Sequence, residues 1–186
     1  MSTSPKIHAT KVIAKTRIFC VEEMELEFSN GTHRTYERLK AGVQGAVMII
    51  PVDKNNNLLL IREYAAGTER YELAFPKGLI EKGETPKEAA NRELKEEVGM
   101  GAKTLTTLKP MTLAPGYLSH KMYLILARDL YGEKLIGDEP EEIEVVPWPL
   151  ANKKALLARD DFTEARSIAA LYMVSELLDP GRQSGT

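Results

Sequence analysis

Residues 78–100 read GLIEKGETPKEAANRELKEEVGM, and the reading of the whole chain turns on this stretch. Thr85-Pro86-Lys87-Glu88 offers an N-cap threonine, a proline at the first helical position and a glutamate at N3. That combination satisfies the free backbone N–H groups at a helix start. Gly99 supplies a stop, so the spacing predicts a helix over 86–98. At about 100° per residue, Glu96 and Glu97 fall about 60° to one side and about 40° to the other side of Glu93. The three carboxylates share one face, beside an apolar stripe of Ala90, Leu94 and Val98. Like charges at these spacings cost roughly 0.2–0.5 kcal/mol per pair, and helix formation does not ask for them. A hard divalent cation reverses that cost, and carboxylate oxygens suit Mg²⁺ or Mn²⁺.

Outward from the helix, the chain alternates strand and turn. Ile18 to Phe28 and Arg34 to Leu39 alternate apolar and polar residues around Ser29-Asn30-Gly31. Asn-Gly at that place predicts a hairpin with a type I′ turn, in which both central residues take positive φ. Ala46–Val52 and Leu58–Ile61 read as core strands joined by the polar turn Lys54–Asn57, and Tyr71–Phe75 as a third. Beyond the helix, Thr104–Thr112, Lys121–Ala127 and Ile143–Val146 read as strands. Leu150–Arg159 and Thr163–Leu178 read as helices. In the second, Ile168, Leu171, Tyr172 and Leu178 recur at helical spacing, and Asp179-Pro180-Gly181 ends it. The expected architecture is α/β in the α+β sense: a mixed sheet between helices, preceded by a small N-terminal antiparallel β subdomain. Its divisions are 1–42 for that subdomain, 43–180 for the main domain and 181–186 for a fraying tail.

Composition narrows the class. With 186 residues, one substantial domain is expected, and 43% hydrophobic residues without a low-complexity tract exclude a disordered chain. A net charge of −2 and the lack of a long Lys/Arg block argue against nucleic acid as a partner. No apolar run reaches membrane-span length and the first ten residues lack a signal peptide's apolar stretch, so no membrane partner and a cytoplasmic location are expected. Cys20 is the sole cysteine; it has no partner for a disulfide and reads as a packed strand residue. Trp148, between two prolines, reads as a core residue.

The central stretch resembles the Nudix box: Gly, five residues, Glu, seven residues, Arg-Glu, an aliphatic, any residue, Glu-Glu, any residue, Gly and an apolar residue. Gly78, Glu84, Arg92, Glu93, Leu94, Glu96, Glu97, Gly99 and Met100 fill all nine fixed places. The resemblance implies a Nudix fold and metal-dependent hydrolysis of a nucleoside diphosphate linked to another group. It implies metal ligands at Glu93, Glu96 and Glu97, with the Lys77 backbone oxygen beside them. Arg92 and Glu84 take supporting roles, and Gly78 and Gly99 structural ones.

The flanks resemble particular branches of the family. Pro115, sixteen residues after Gly99, resembles the signature of the ADP-ribose pyrophosphatases, and Gly137-Asp138-Glu139-Pro140-Glu141-Glu142 resembles their acidic loop, which makes Glu139 and Glu141 candidates for the catalytic base. Arg62-Glu63-Tyr64-Ala65 departs from that group's Arg-Gln-Tyr-Arg, whose last arginine grips phosphate; Arg70 is a candidate replacement. Ala74-Phe75-Pro76-Lys77-Gly78 is closer to the diadenosine polyphosphate hydrolases. Together these features look most like Nudix enzymes that take ADP-ribose, NADH and short diadenosine polyphosphates and release AMP. The likeness implies a homodimer paired through its N-terminal strands. Arg62, Tyr64, Tyr36 and Arg38, together with Tyr117 and His120 after the proline, are the remaining candidates for substrate contact. Two other readings stand beside this one: a hydrolase of diadenosine tetraphosphate or RNA 5′-pyrophosphate ends, and a catalytically silent module that senses a nucleotide. Pro115 and the lack of a basic patch oppose the first, and the complete glutamate set opposes the second.

Overall fold

The computed structural model describes residues 3–42, 44–138 and 140–178. Among the described residues, ten strands and three α-helices follow in chain order. β1 (Lys6–Lys15), β2 (Cys20–Glu27) and β3 (His33–Leu39) form a three-stranded antiparallel sheet in the order β1-β2-β3. Next come β4 (Ala46–Pro51), β5 (Asn57–Ala65), β6 (Arg70–Ala74), the short β7 (Lys77–Leu79) and α1 (Pro86–Glu93), which runs on into a π-helical turn, Leu94–Val98. β8 (Met100–Thr112), β9 (Lys121–Gly132) and β10 (Glu144–Pro149) are followed by a 3₁₀ turn (Leu150–Asn152), α2 (Lys153–Leu157) and α3 (Ala165–Leu178).

The chain divides into two compact units. One comprises Met1–Gly45 with Met111–Met122, the other Ala46–Pro110 with Tyr123–Thr186. In the first, β1 escaped the sequence reading because all ten of its residues are exposed, so no buried face imposes an alternating pattern. The Asn30-Gly31 hairpin forms, but with a different turn. Only Gly31 takes a positive φ, 79°, while the Phe28 N–H donates to Thr32 O and the Gly31 N–H to Phe28 O. This is a longer loop with a left-handed glycine, not the two-residue I′ turn. Cys20 is half-buried in β2. The segment carrying Pro115 packs along β3, with the Leu39 N–H donating to Tyr117 O and the Ser119 N–H to Leu39 O.

In the second unit the strands form two sheets, β10-β5-β6 and β7-β4-β9-β8. β4 and β5, read from sequence as core strands joined by a tight polar turn, join different sheets; an isolated bridge, Val52 to Leu58, links them. Every residue of β4 is buried. Its pleat sends Val47 and Ile49 to one face, where they pack with Ala89, Ala90 and Leu94, and sends Met48 and Ile50 to the other. A strand buried on both faces reads as a continuous apolar run, which Ala46–Ile50 is.

α3 turns a face of small residues inward. Ser167, Ala170, Leu171, Val174 and Ser175 are buried, whereas Tyr172, placed on the apolar stripe from sequence, is exposed. Ser167 earns its interior position by accepting the Phe75 N–H through Oγ at 3.2 Å, and the Ser175 hydroxyl donates to Leu171 O. Trp148 is half-buried rather than core: its Nε1–H donates to Asn152 O and the Arg159 guanidinium lies 5.6 Å from the ring centroid. The helix stop at 179–181 and the tail fall outside the described residues. Among the described residues no helix is long and apolar enough to cross a membrane.

Phe75 is fully buried, just before β7. Phe75→Ala leaves a cavity beneath β7 and costs roughly 3–5 kcal/mol of stability, measurable as a lowered denaturation midpoint in urea.

Candidate active site

α1 begins as its sequence dictates. Thr85 Oγ1 accepts the Glu88 N–H, the Glu88 carboxylate accepts the Thr85 N–H at 2.8 Å, and Pro86 occupies the first turn. Its apolar side, Ala89, Ala90 and Leu94, packs against Val47 and Ile49 of β4, leaving the acidic side outward. The departure comes at Leu94. The helix widens to π geometry, the Gly99 N–H closes onto Leu94 O, and Gly99 ends the turn with φ at 74°. Past Leu94 the 100° spacing therefore no longer holds. Glu97 becomes buried, with 4% of its surface exposed, while Glu96 stays half-buried.

Arg92 organises what surrounds it. Its Nε and Nη2 grip both oxygens of Glu84, at 2.8 and 3.0 Å. Nη2 also donates to Leu79 O, and Nη1 donates to Glu93 Oε1 at 2.8 Å and Glu96 Oε2 at 2.9 Å. All five N–H donors of the guanidinium are used. The hydrogen bonds to Glu84 and then Glu93 raise the arginine's pKa further above its ordinary value, and Arg92 in turn holds the Glu84 carboxyl below the ordinary range. Glu84 also accepts the Glu81 N–H, which ties the loop ahead of the helix to the same point.

Gly78 is required by close approach. A Cβ added there would lie 1.9 Å from the Glu93 carboxyl carbon and 2.0–2.3 Å from its oxygens. β7 pairs with β4 through Val47–Gly78 and Met48–Lys77, which fixes the strand beneath that carboxylate. The Lys77 N–H donates to Glu97 Oε2 at 3.0 Å, and the Lys77 ammonium lies 2.6 Å from Glu63 Oε2. Burial pushes the Glu97 carboxyl up to about 8, against the pull of Lys77.

These groups line a cleft of about 730 Å³ that also takes in Glu63, Glu81 and, from the acidic loop, Ile136–Asp138 and Pro140. Among the described residues no three His, Cys, Asp or Glu side chains converge on one ion-sized point. Arg92 draws Glu93 and Glu96 to itself, and the Lys77 amide holds Glu97. The donor chemistry fits a hard divalent cation all the same. Three carboxylates share the cleft, two of them, Glu93 and Glu97, are buried, and a divalent cation offsets the charge that burial disfavours on Glu97.

The candidates outside the box divide into groups. Arg62, Tyr64 and Glu141 line a smaller pocket of about 220 Å³ that shares Glu63 and Pro140 with the cleft. There Glu141 accepts the Tyr71 hydroxyl at 2.6 Å, and Tyr71 meets Tyr64 edge to face at 5.6 Å between centroids. Arg62 is bound to Glu144 and Asp161. Arg70 is paired with Glu72 and lines neither cavity. In the N-terminal unit, Tyr36, Arg38, Pro115 and Tyr117 line a groove, with Arg38 held by the buried Glu22. His120 is half-buried just ahead of β9. Glu139 lies outside the described residues. The sequence reading passed over Glu63, Tyr71 and Asp138. For Tyr71 the signal lay in strand register: β5 and β6 pair Tyr64 with Tyr71, so Tyr71 accompanies any role of Tyr64.

Two family models match the chain. One, described as the NUDIX domain, covers residues 42–171; the other, the NudE-type Nudix hydrolase N-terminal domain, covers residues 5–38. The chain belongs to the Nudix hydrolases. It is 54% identical to the ADP compounds hydrolase NudE of Escherichia coli over 94% of this chain and 93% of that protein. It is 31% identical to the ADP-ribose pyrophosphatase of Bacillus subtilis over 87% and 90%. A solved structure titled "Crystal structure of ADP compounds hydrolase" superposes with a TM-score of 0.90 at 53% identity, covering 96% of each chain. The fold is thus the Nudix fold with an N-terminal three-stranded antiparallel sheet, and Nudix hydrolases generally need a divalent metal.

The fit of Gly78 against Glu93 can be measured as a coupling. Gly78→Ala destabilises the protein by roughly 1–3 kcal/mol. In a Glu93→Ala background the same change costs well under 1 kcal/mol, because the clashing carboxylate is gone. Equal costs in the two backgrounds exclude the steric account.

Proposed function

We propose that this Nudix hydrolase is a pyrophosphohydrolase of ADP-linked compounds, acting on ADP-ribose, NADH and short diadenosine polyphosphates and releasing AMP with a second phosphorylated product. The observation that carries the reading is the pairing of a complete box cleft with 54% identity, over nearly the whole chain, to an enzyme named for hydrolysing ADP compounds. The reading includes a cytoplasmic homodimer joined through an N-terminal subdomain at 1–42, ahead of the catalytic domain at 43–180. β1 supports the pairing: it is an edge strand that leaves Ile7, Val12 and Ile13 exposed.

Glu93, Glu96 and Glu97, with the Lys77 backbone oxygen, are the residues assigned to hold Mg²⁺ or Mn²⁺. Such an ion, when bound, neutralises the pyrophosphate and acidifies a water. The chain's own groups do the rest. Arg92 holds two of the three carboxylates that line the cleft, and burial of Glu97 withholds it from bulk water. The general base is assigned to the acidic loop, to Glu139 or Glu141; the Tyr71 hydroxyl bond holds Glu141 at the adjoining pocket. Arg62, Tyr64, Tyr36, Arg38, Tyr117 and His120 remain the proposed contacts for the rest of the substrate. Arg70, bound to Glu72 and away from both cavities, has no observation in its favour.

Glu97→Gln tests the reading. The amide has the shape of a protonated carboxyl and still accepts the Lys77 N–H, so thermal stability stays near that of the parent protein. Turnover drops by roughly two orders of magnitude or more, on the scale of losing one transition-state charge contact. It is followed as metal-dependent AMP release from ADP-ribose, NADH, diadenosine triphosphate and diadenosine tetraphosphate. Near-normal turnover by the variant rules out the ligand role, and a parent enzyme active on the tetraphosphate alone rules out the substrate class.

A further inference from the structure

The cleft has a charge problem that its glutamates do not solve. Glu63, Glu81, Glu93, Glu96, Glu97 and Asp138 line it, against two cations among the described residues, Lys77 and Arg92. A pyrophosphate diester adds a negative charge on each phosphoryl group. Arg92 has nothing to offer it, because all five of its donors are engaged by Glu84, Glu93, Glu96 and Leu79 O. Lys77 differs. Its ammonium has three donors, and among the described residues its hydrogen bond is to Glu63, at 2.6 Å. The two side chains are 26% and 41% exposed, so water competes for the pair and it is weakly held. The Lys77 backbone does not share that freedom: pairing with Met48 and the amide bond to Glu97 fix it. A pinned main chain with a loosely held ammonium, beside three carboxylates of the box, is built to swing a single charge.

We propose that the Lys77 side chain is the phosphate-binding cation of this cleft, and that Glu63 holds it in place of substrate until a phosphoryl oxygen takes over. Glu63 acts through Lys77, as a positioning residue. The inference rests on the pyrophosphohydrolase reading and deepens it. An ammonium is a point charge with rotatable donors and imposes no fixed fork geometry on its anion. A cleft that grips phosphate through Lys77 therefore accepts both a pyrophosphate and a triphosphate bridge, which is the breadth that reading requires.

The test is binding of the ADP-ribose analogue with a methylene in place of the bridging oxygen, measured by calorimetry with Ca²⁺, alongside KM and kcat for ADP-ribose. Lys77→Met weakens binding and raises KM roughly 10- to 100-fold, the range of one charge-assisted hydrogen bond. kcat changes far less, and Lys77→Arg restores most of the affinity. Glu63→Gln tightens binding in the parent protein and has no effect in the Lys77→Met background. If the parent hydrolyses ADP compounds and Lys77→Met binds the analogue equally well, the lysine assignment is overturned and the pyrophosphohydrolase reading stands. If Glu63→Gln acts equally with and without the lysine, the exchange is overturned. If the parent neither hydrolyses ADP compounds nor binds the analogue, both readings fall together.

Discussion

The arrangement of the site hangs on one guanidinium. Arg92 joins three pieces of chain that would otherwise be independent: the strand leading into the box through Leu79 O, the loop through Glu84, and the helix through Glu93 and Glu96. Only arginine has enough N–H groups, in a rigid planar fork, to hold Glu84 at two points and still reach the other three acceptors. Lysine carries the same charge but has too few donors. The Arg92 side chain is 21% exposed and its carboxylate partners 12–20%, so these charges are largely taken out of water. Such charges stay only where each finds a partner. Arg92 thus sets the shape of the loop before any ligand arrives.

A second constraint is distance. Glu93 sits so close above Gly78 that no side chain fits there, and Glu97 sits close enough to β7 to accept a backbone amide. Those two contacts lay the helix against the edge of its sheet. The π turn at Leu94–Val98 follows from the same demand. Leu94 must stay in the core with Ala90, and Gly99 must turn the chain into β8. The extra residue in that turn carries Glu97 inward while Glu96 remains beside Arg92. A regular helix would spread the glutamates along an exposed face; the widened turn gives them unequal environments. Burial pushes the Glu97 carboxyl up to about 8, against the pull of Lys77.

What the sequence reveals divides along the same line. The box was legible because its logic is local: the Thr85 cap, the Pro86 start, the Gly99 stop and the helical spacing lie within one short stretch. The strands around it were legible from apolar runs, down to the fully buried β4. Their assembly was not. That β4 and β5 part into different sheets depends on pairings with β7, β9, β6 and β10, and no pattern within Ala46–Ile61 records them. β1 was missed because a strand without a buried face has no period to show. The fate of Arg62 was also hidden, since its partners Glu144 and Asp161 lie 82 and 99 residues further along the chain. Asn30-Gly31 marks a middle case. The dipeptide located the hairpin but could not distinguish a two-residue turn from a longer loop that uses Gly31 alone at positive φ.

The division also separates what is general in this site from what is particular. Every fixed residue of the box serves either a carboxylate, a backbone turn or the helix core, and none of them is aromatic or shaped for a base or a sugar. A cleft made only of these groups recognises charge: it distinguishes a pyrophosphate from a neutral molecule but not one nucleotide conjugate from another. Discrimination must come from surfaces that vary around the cleft. The second unit offers a candidate for such a surface, because Glu63 and Pro140 belong both to the cleft and to the pocket walled by Tyr64, Tyr71 and Arg62. In that pocket the aromatic pair is set by strand register and the acidic loop is tied down by the Tyr71 hydroxyl. A change of register between β5 and β6 would separate the tyrosines and free Glu141 while leaving every box residue in place. On the proposed function, selectivity is therefore assigned to the sheet and chemistry to the helix.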